Sequence, residues 1–149
     1  MSPLKRHFSL QPLSREHHEA LILAQLLKRD VPDYKGLPTS TEGKIEHTQK
    51  IYEQELAPHF AKEEEELMPA VRGYSTELDE LCDTILEEHR AIREAVEELA
   101  GAEDGEAAAL LDALGRLLEA HVRREERNWF ELIQEVVPEK VLKGIKLGA

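Results

Sequence analysis

The sequence predicts an all-α protein, an up-down-up-down four-helix bundle, and three observations carry that expectation. The 149 residues contain four long stretches rich in Leu, Ala, Glu, Lys and Arg, with only short β-branched runs, a composition that favours helix. The breaks carry glycine and proline, at 31–38, Gly73, Gly101 and Gly105, residues that punctuate helices. The connections are short, which makes neighbouring helices antiparallel.

The first helix is expected over residues 13–30, behind Pro12. The second is expected over 41–72, with Thr39 and Glu42 at capping-box spacing. Pro58 lies inside it and must remove one backbone hydrogen bond, so a kink is expected there; Pro69 is expected to end it early. The third helix follows Gly73 over 75–100, and the fourth runs over 104–136 beyond Gly101. After Pro138 a short fifth helix would place Val141, Leu142 and Ile145 on one side; a packed tail is the alternative. The domain reading is a leader at 1–12, the bundle at 13–136, and a tail or short helix at 137–149.

Apolar residues make up 41% and charged residues 34%, which suits a core under a solvated surface rather than a disordered chain. Acids outnumber bases 31 to 19, for a net charge of −12. That balance argues against nucleic acid or an anionic membrane as partner, since phosphate binding needs a basic face. No apolar run approaches the roughly 18–20 residues of a membrane span, and the first residues lack the apolar stretch of a secretory signal. The single cysteine, Cys82, excludes an intrachain disulfide and a multi-cysteine metal site, and a cytoplasmic setting is expected. The unusual number is seven histidines against seven aromatic residues.

Four of those histidines fall into an internal repeat. The first and third helices align on Glu16-His17 and Glu88-His89. At offsets −7, −4, +3, +7 and +10 from the histidine stand Leu10 or Cys82, Leu13 or Ile85, Ala20 or Ile92, Ala24 or Val96, and Leu27 or Leu99. All are apolar and share one stripe, so His17 and His89 face the core, whereas His18 does not. The second and fourth helices align on HFAKE and HVRRE. There the offsets −3, +1, +8 and +12 hold Leu56 or Leu118, Phe60 or Val122, Leu67 or Trp129, and Val71 or Ile133, so His59 and His121 face the core too. Glu63 and Glu125 follow them by four residues, one turn along and about 40° further round. At about 1.5 Å per residue, His59 and His89 each stand about 20 Å from the turn that joins their helices, at matching heights; across the other two connections the rises differ, about 20 against about 27 Å and about 17 against about 26 Å, differences that frayed ends and loops could absorb.

Four imidazoles and two carboxylates would thus converge in the interior. Buried without partners, each would cost roughly 1–3 kcal/mol or more; a metal centre uses the same lone pairs as ligands. Nitrogen and oxygen donors without thiolate suit iron, manganese or zinc. Six side chains are too many for one ordinary site, and two ions bridged by the carboxylates fit better. The candidate ligands are His17, His59, Glu63, His89, His121 and Glu125. The rest of the acidic runs at 63–66 and 125–126 is expected to be solvated face.

These motifs, His17 in REHHEAL, His59 and Glu63 in HFAKE, His89 in EEHRAI, and His121 and Glu125 in HVRRE, resemble those of the hemerythrin-like (HHE cation-binding) domain over most of the chain. The resemblance implies a non-haem diiron centre, oxo- or hydroxo-bridged, in a four-helix bundle that binds dioxygen or related small molecules. Glu63 and Glu125 would be the bridging carboxylates, and manganese or zinc are the alternative metals. The sequence departs from oxygen-carrying hemerythrins at two positions. Those have a further histidine where this chain has Arg93, and an aspartate five residues after the last histidine, where this chain offers Glu125 at +4 and Glu126 at +5. Glu125 is favoured because Glu63 stands at the same offset. Two six-coordinate irons with these ligands and one bridge keep two positions open, which favours water, peroxide or nitric oxide chemistry over simple oxygen carriage. Tyr52, seven residues before His59 on nearly the same face, is a candidate to close one of them, with an ordinary core tyrosine as the alternative. Arg93 cannot ligate as a cation; it would steer an anion, pair with a carboxylate or be solvated.

Three functional readings follow. The first is a diiron protein that binds or reacts with dioxygen, peroxide or nitric oxide, with a separate redox or signalling partner. The second is iron storage, sensing or repair of other iron sites through a labile centre. The third is a metal-free helical interaction module; a mononuclear zinc site would leave at least two of the six donors unused.

Overall fold

A computed structural model of the chain describes residues 5–28 and 36–147. About 81% of the chain is helical, and no strand occurs among the described residues. The helices are α1 (Gln11–Leu27), α2 (41–71), α3 (Thr76–Leu99), α4 (104–136) and α5 (Glu139–Gly144). The first four form the all-α bundle. The end of the first expected helix at 29–30 and most of the loop at 31–38 lie outside the described residues.

Each helix boundary has a local cause. Pro12 occupies the first turn of α1, where a missing N–H has no partner to lose. The α2 cap is Ser40 rather than the expected Thr39: Ser40 is extended, and its hydroxyl accepts from the Gly43 amide at 3.0 Å. Ser75 caps α3 in the same way, accepting from the Leu78 amide at 3.0 Å. Gly73, at φ 96°, turns the chain between α2 and α3 in a conformation that glycine adopts without strain.

The prolines of α2 act differently from the sequence expectation. Neither ends the helix, which runs to Val71. A wide π turn precedes each of them, over Tyr52–Leu56 before Pro58 and over Glu63–Leu67 before Pro69. The amides of Ala57 and Met68 reach back five residues to the carbonyls of Tyr52 and Glu63. A proline ring would strike the carbonyl four residues earlier in a regular helix. Here those carbonyls belong to Gln54 and Glu65, inside the widened turns. A third π turn spans Glu125–Trp129 in α4, at the repeat position of Glu63–Leu67 and with no proline after it. Its counterpart in α2 is therefore not a proline effect alone; π turns of this kind recur at functional sites.

The apolar core has two parts. One gathers Leu10 and Leu13, Leu67 and Val71, Cys82 and Ile85, and Trp129 and Ile133. The other gathers Leu23 and Leu27, Leu56, Ile92 and Val96, and Leu114 and Leu118. On every long helix a polar segment separates the two sets: His17 on α1, His59 to Glu63 on α2, His89 on α3, and His121 to Glu125 on α4. The buried polar residues thus form a layer across the bundle with apolar packing on both sides. The α1 and α4 backbones approach closely at Gly115, where a Cβ atom would stand 2.7 Å from the Ala24 carbonyl oxygen. A short α5 follows Pro138, burying Leu142.

Candidate metal centre

All six predicted side chains lie in this layer. His17 and His59 are 4% exposed, His89 2%, His121 1%, and Glu63 and Glu125 are fully buried. The rings of His17 and His59 stand 4.9 Å apart, and those of His89 and His121 5.0 Å apart. The two glutamates lie between these pairs. Glu125 Oε1 is 2.7 Å from His17 Nε2 and 3.7 Å from His59 Nε2, while its Oε2 is 3.1 Å from His121 Nε2 and 3.6 Å from His89 Nε2. Glu63 reaches His59 Nε2 at 3.1 Å and His89 Nε2 at 2.9 Å. The ligand atoms fall into two groups, each within 4.8 Å: His17, His59, Glu63 and Glu125, and Glu63, His89, His121 and Glu125. The two carboxylates belong to both.

Proximity does not satisfy these atoms. Nε2 of His59, His89 and His121, both oxygens of Glu63 and Oε2 of Glu125 have no hydrogen-bond partner. Unpaired buried polar atoms cost roughly 1–3 kcal/mol each, and six of them meeting in one place is the arrangement that cation ligation resolves. The donors are imidazole nitrogens and carboxylate oxygens, with Cys82 packed in the apolar core apart from them. That set suits iron, manganese or zinc.

The outer nitrogens of the same rings carry a feature that the sequence analysis missed. Each Nδ1 meets a carboxylate from a neighbouring helix: His17 with Glu126 at 2.6 Å, His59 with Glu16 at 2.8 Å, His89 with Glu64 at 2.7 Å, and His121 with Glu88 at 2.8 Å. Glu64 and Glu126 are therefore not simply solvated face, although Glu65 and Glu66 are exposed as expected. The signal was present in the repeat, which carries a glutamate before His17 and His89 and another after Glu63 and Glu125. Helical period points those residues sideways, and only the packed neighbours turn that direction into a contact.

With no metal bound, the cluster holds protons. Burial opposes a charged His59, but the charge of Glu63, the nearby Glu125 carboxylate and the hydrogen bond with Glu16 outweigh it and push the ring up to about 12. The same contest raises His121 to about 10, through Glu125 and Glu88, and His17 and His89 to about 9. Burial alone would raise Glu125; His121, His17 and His59 hold it well below the ordinary carboxylate range instead. The hydrogen bond with His59 is the main reason that Glu16 falls to about 2.

Tyr52 packs edge-on against Phe60 at 6.5 Å, and Phe60 in turn stacks on His89 at 4.0 Å. Arg93 is exposed on α3. On the opposite side Phe130 stacks on His17 at 5.7 Å.

Fold and site together define a helical bundle with a buried histidine–carboxylate cluster compatible with metal binding. The family described as Hemerythrin HHE cation binding domain matches residues 9–133, and the chain belongs to that family. No curated protein and no solved structure gave a match. Among the described residues no helix is long and apolar enough to cross a membrane.

Proposed function

We propose that this protein is a non-haem diiron protein that binds or reacts with a small oxygen species, dioxygen or peroxide, or with nitric oxide. One observation carries the reading: two histidine pairs share two buried carboxylates, and six inward-facing polar atoms have no protein partner. One iron would sit in each group, with Glu63 and Glu125 common to both. Bound iron would supply electrons and open coordination positions to the small ligand.

The protein's own residues account for selection and positioning. None of the six ligand residues is more than 4% exposed, so only a species of a few atoms reaches them. Phe60 and Phe130 lie flat against His89 and His17, which excludes water from one side of each pair and lowers the local dielectric. The four histidines come from four different helices and are held at their outer nitrogens. The donor positions are therefore tied to the bundle itself rather than to mobile loops.

The test is metal analysis of protein purified with and without air, with an optical spectrum before and after peroxide. About two iron ions per chain and near-ultraviolet bands that change on peroxide addition are expected. Protein that stays iron-free under both conditions refutes the reading. Transfer of its iron to an apo acceptor, without any response to peroxide, oxygen or nitric oxide, would place the protein in iron handling instead.

A further inference from the structure

The outer contacts of the four histidines form a closed circuit. Glu16 of α1 meets His59 of α2, Glu64 of α2 meets His89 of α3, Glu88 of α3 meets His121 of α4, and Glu126 of α4 meets His17 of α1. Every long helix gives one carboxylate and receives one, and all four distances lie between 2.6 and 2.8 Å. We propose that Glu16, Glu64, Glu88 and Glu126 are metal-positioning residues, each orienting the ligand histidine of the next helix so that all four Nε2 atoms converge on the centre.

The chemistry follows from the two nitrogens of imidazole. A neutral ring carries one proton, and an acceptor at Nδ1 keeps it there, which leaves the Nε2 lone pair free for a cation. The negative charge behind the ring also strengthens the donor. Three of the carboxylates are themselves fixed: Glu16 by Lys62 at 2.6 Å, Glu88 by Arg124 at 2.6 Å, and Glu126 by Ser14 at 2.8 Å and Arg6 at 3.3 Å. Glu64 has His89 as its hydrogen-bond partner among the described residues and is half-buried. As ordinary surface ion pairs, these contacts would affect stability slightly and metal affinity not at all. As positioning contacts, their loss typically weakens metal binding about 10–100-fold.

This inference rests on the metal reading, and the experiment separates the two. The full chain is loaded with Fe2+ without air, and its affinity is measured by competition with a chelator. Glu64→Gln and Glu88→Gln keep an acceptor but lose its charge, and are expected to bind Fe2+ about 10-fold more weakly. Glu64→Ala and Glu88→Ala remove both and are expected to approach a 100-fold loss. The charge-transfer bands of the oxidised, iron-loaded variants should shift, because the donor strength of His89 or His121 changes. Glu65→Gln, an exposed neighbour on α2, should leave affinity and spectrum unchanged. Because Glu64 is half-buried and bonds, among the described residues, only to His89, its variants keep the test readable if Glu88→Ala does not fold. Affinities within two-fold of the parent and unshifted bands in the Glu64 variants would overturn the positioning role while leaving the metal reading intact. A parent chain that takes up no Fe2+ would overturn both.

Discussion

Glu125 is the residue on which the centre depends most, and Glu125→Gln is the sharpest single perturbation. The change keeps shape and removes charge. One carboxylate, fully buried, stands 2.7 to 3.7 Å from Nε2 of all four histidines. In the metal-free protein at neutral pH those rings are protonated, since they are raised to between about 9 and 12. The variant leaves four buried cations around a single central anion, Glu63. Removing one partner of a buried charge pair costs about 3–5 kcal/mol. For a domain of this size each kcal/mol lowers Tm by about 2–4 °C, so metal-free Glu125→Gln should melt roughly 6–20 °C below the parent. The deficit should be largest below pH 6.5 and shrink as the rings lose their protons at alkaline pH. Because Glu125 belongs to both ligand groups, the variant should also lose affinity for both metal equivalents. Thermal melts followed by circular dichroism, with metal analysis of the reconstituted protein, check both effects. A variant that melts with the parent and still holds two ions would refute the shared-carboxylate reasoning.

Three further outcomes follow from the same geometry. His17→Ala disrupts only one ligand group and leaves Glu63, His89, His121 and Glu125 in place, so metal content should fall from about two ions per chain to about one; an unchanged stoichiometry on metal analysis would count against two separate groups. The metal-free protein should have a pH-dependent stability of definite sign. Histidines raised from 6.5 to about 9–12 stabilise the fold fully below pH 6.5, and that contribution is lost as pH rises through their folded values. Glu16, lowered from 4.5 to about 2, contributes above pH 4.5 and is lost as pH falls towards 2, so denaturant midpoints should peak between about pH 4.5 and 6.5, and a maximum at pH 9 would contradict the assignment. Gly115→Ala gains about 1 kcal/mol of helix propensity, but its Cβ would meet the Ala24 carbonyl oxygen at 2.7 Å and Leu27 Cβ at 3.1 Å; backbone cannot swing aside, so overpacking of about 1–3 kcal/mol should win and lower the urea midpoint.

Much of this molecule could be read from local pattern. Ligand-face positions recur at fixed offsets from four histidines, and burial follows those offsets: Leu13, Ile85, Leu67 and Trp129 are all fully buried. Periodicity alone also separated His17 from its neighbour His18, which is exposed. Such inferences succeed because a helix converts sequence spacing into direction with little help from its surroundings. Backbone detail was less accessible. Proline's chemistry says that a hydrogen bond is lost at Pro58 and Pro69, but not that a π turn absorbs the loss and lets α2 continue to Val71.

Sequence by itself determined which side chains turn inward and at what height along each helix, because both follow from a repeat of 3.6 residues and a rise of 1.5 Å. Tertiary structure alone decided who meets whom from the side. The pairing of Glu126 with His17 joins residues 109 positions apart, and that of Glu64 with His89 crosses from α2 to α3. No local rule contains the packing angle and spacing of two helices, and a hydrogen bond with a window of a few tenths of an ångström exists only once those are set.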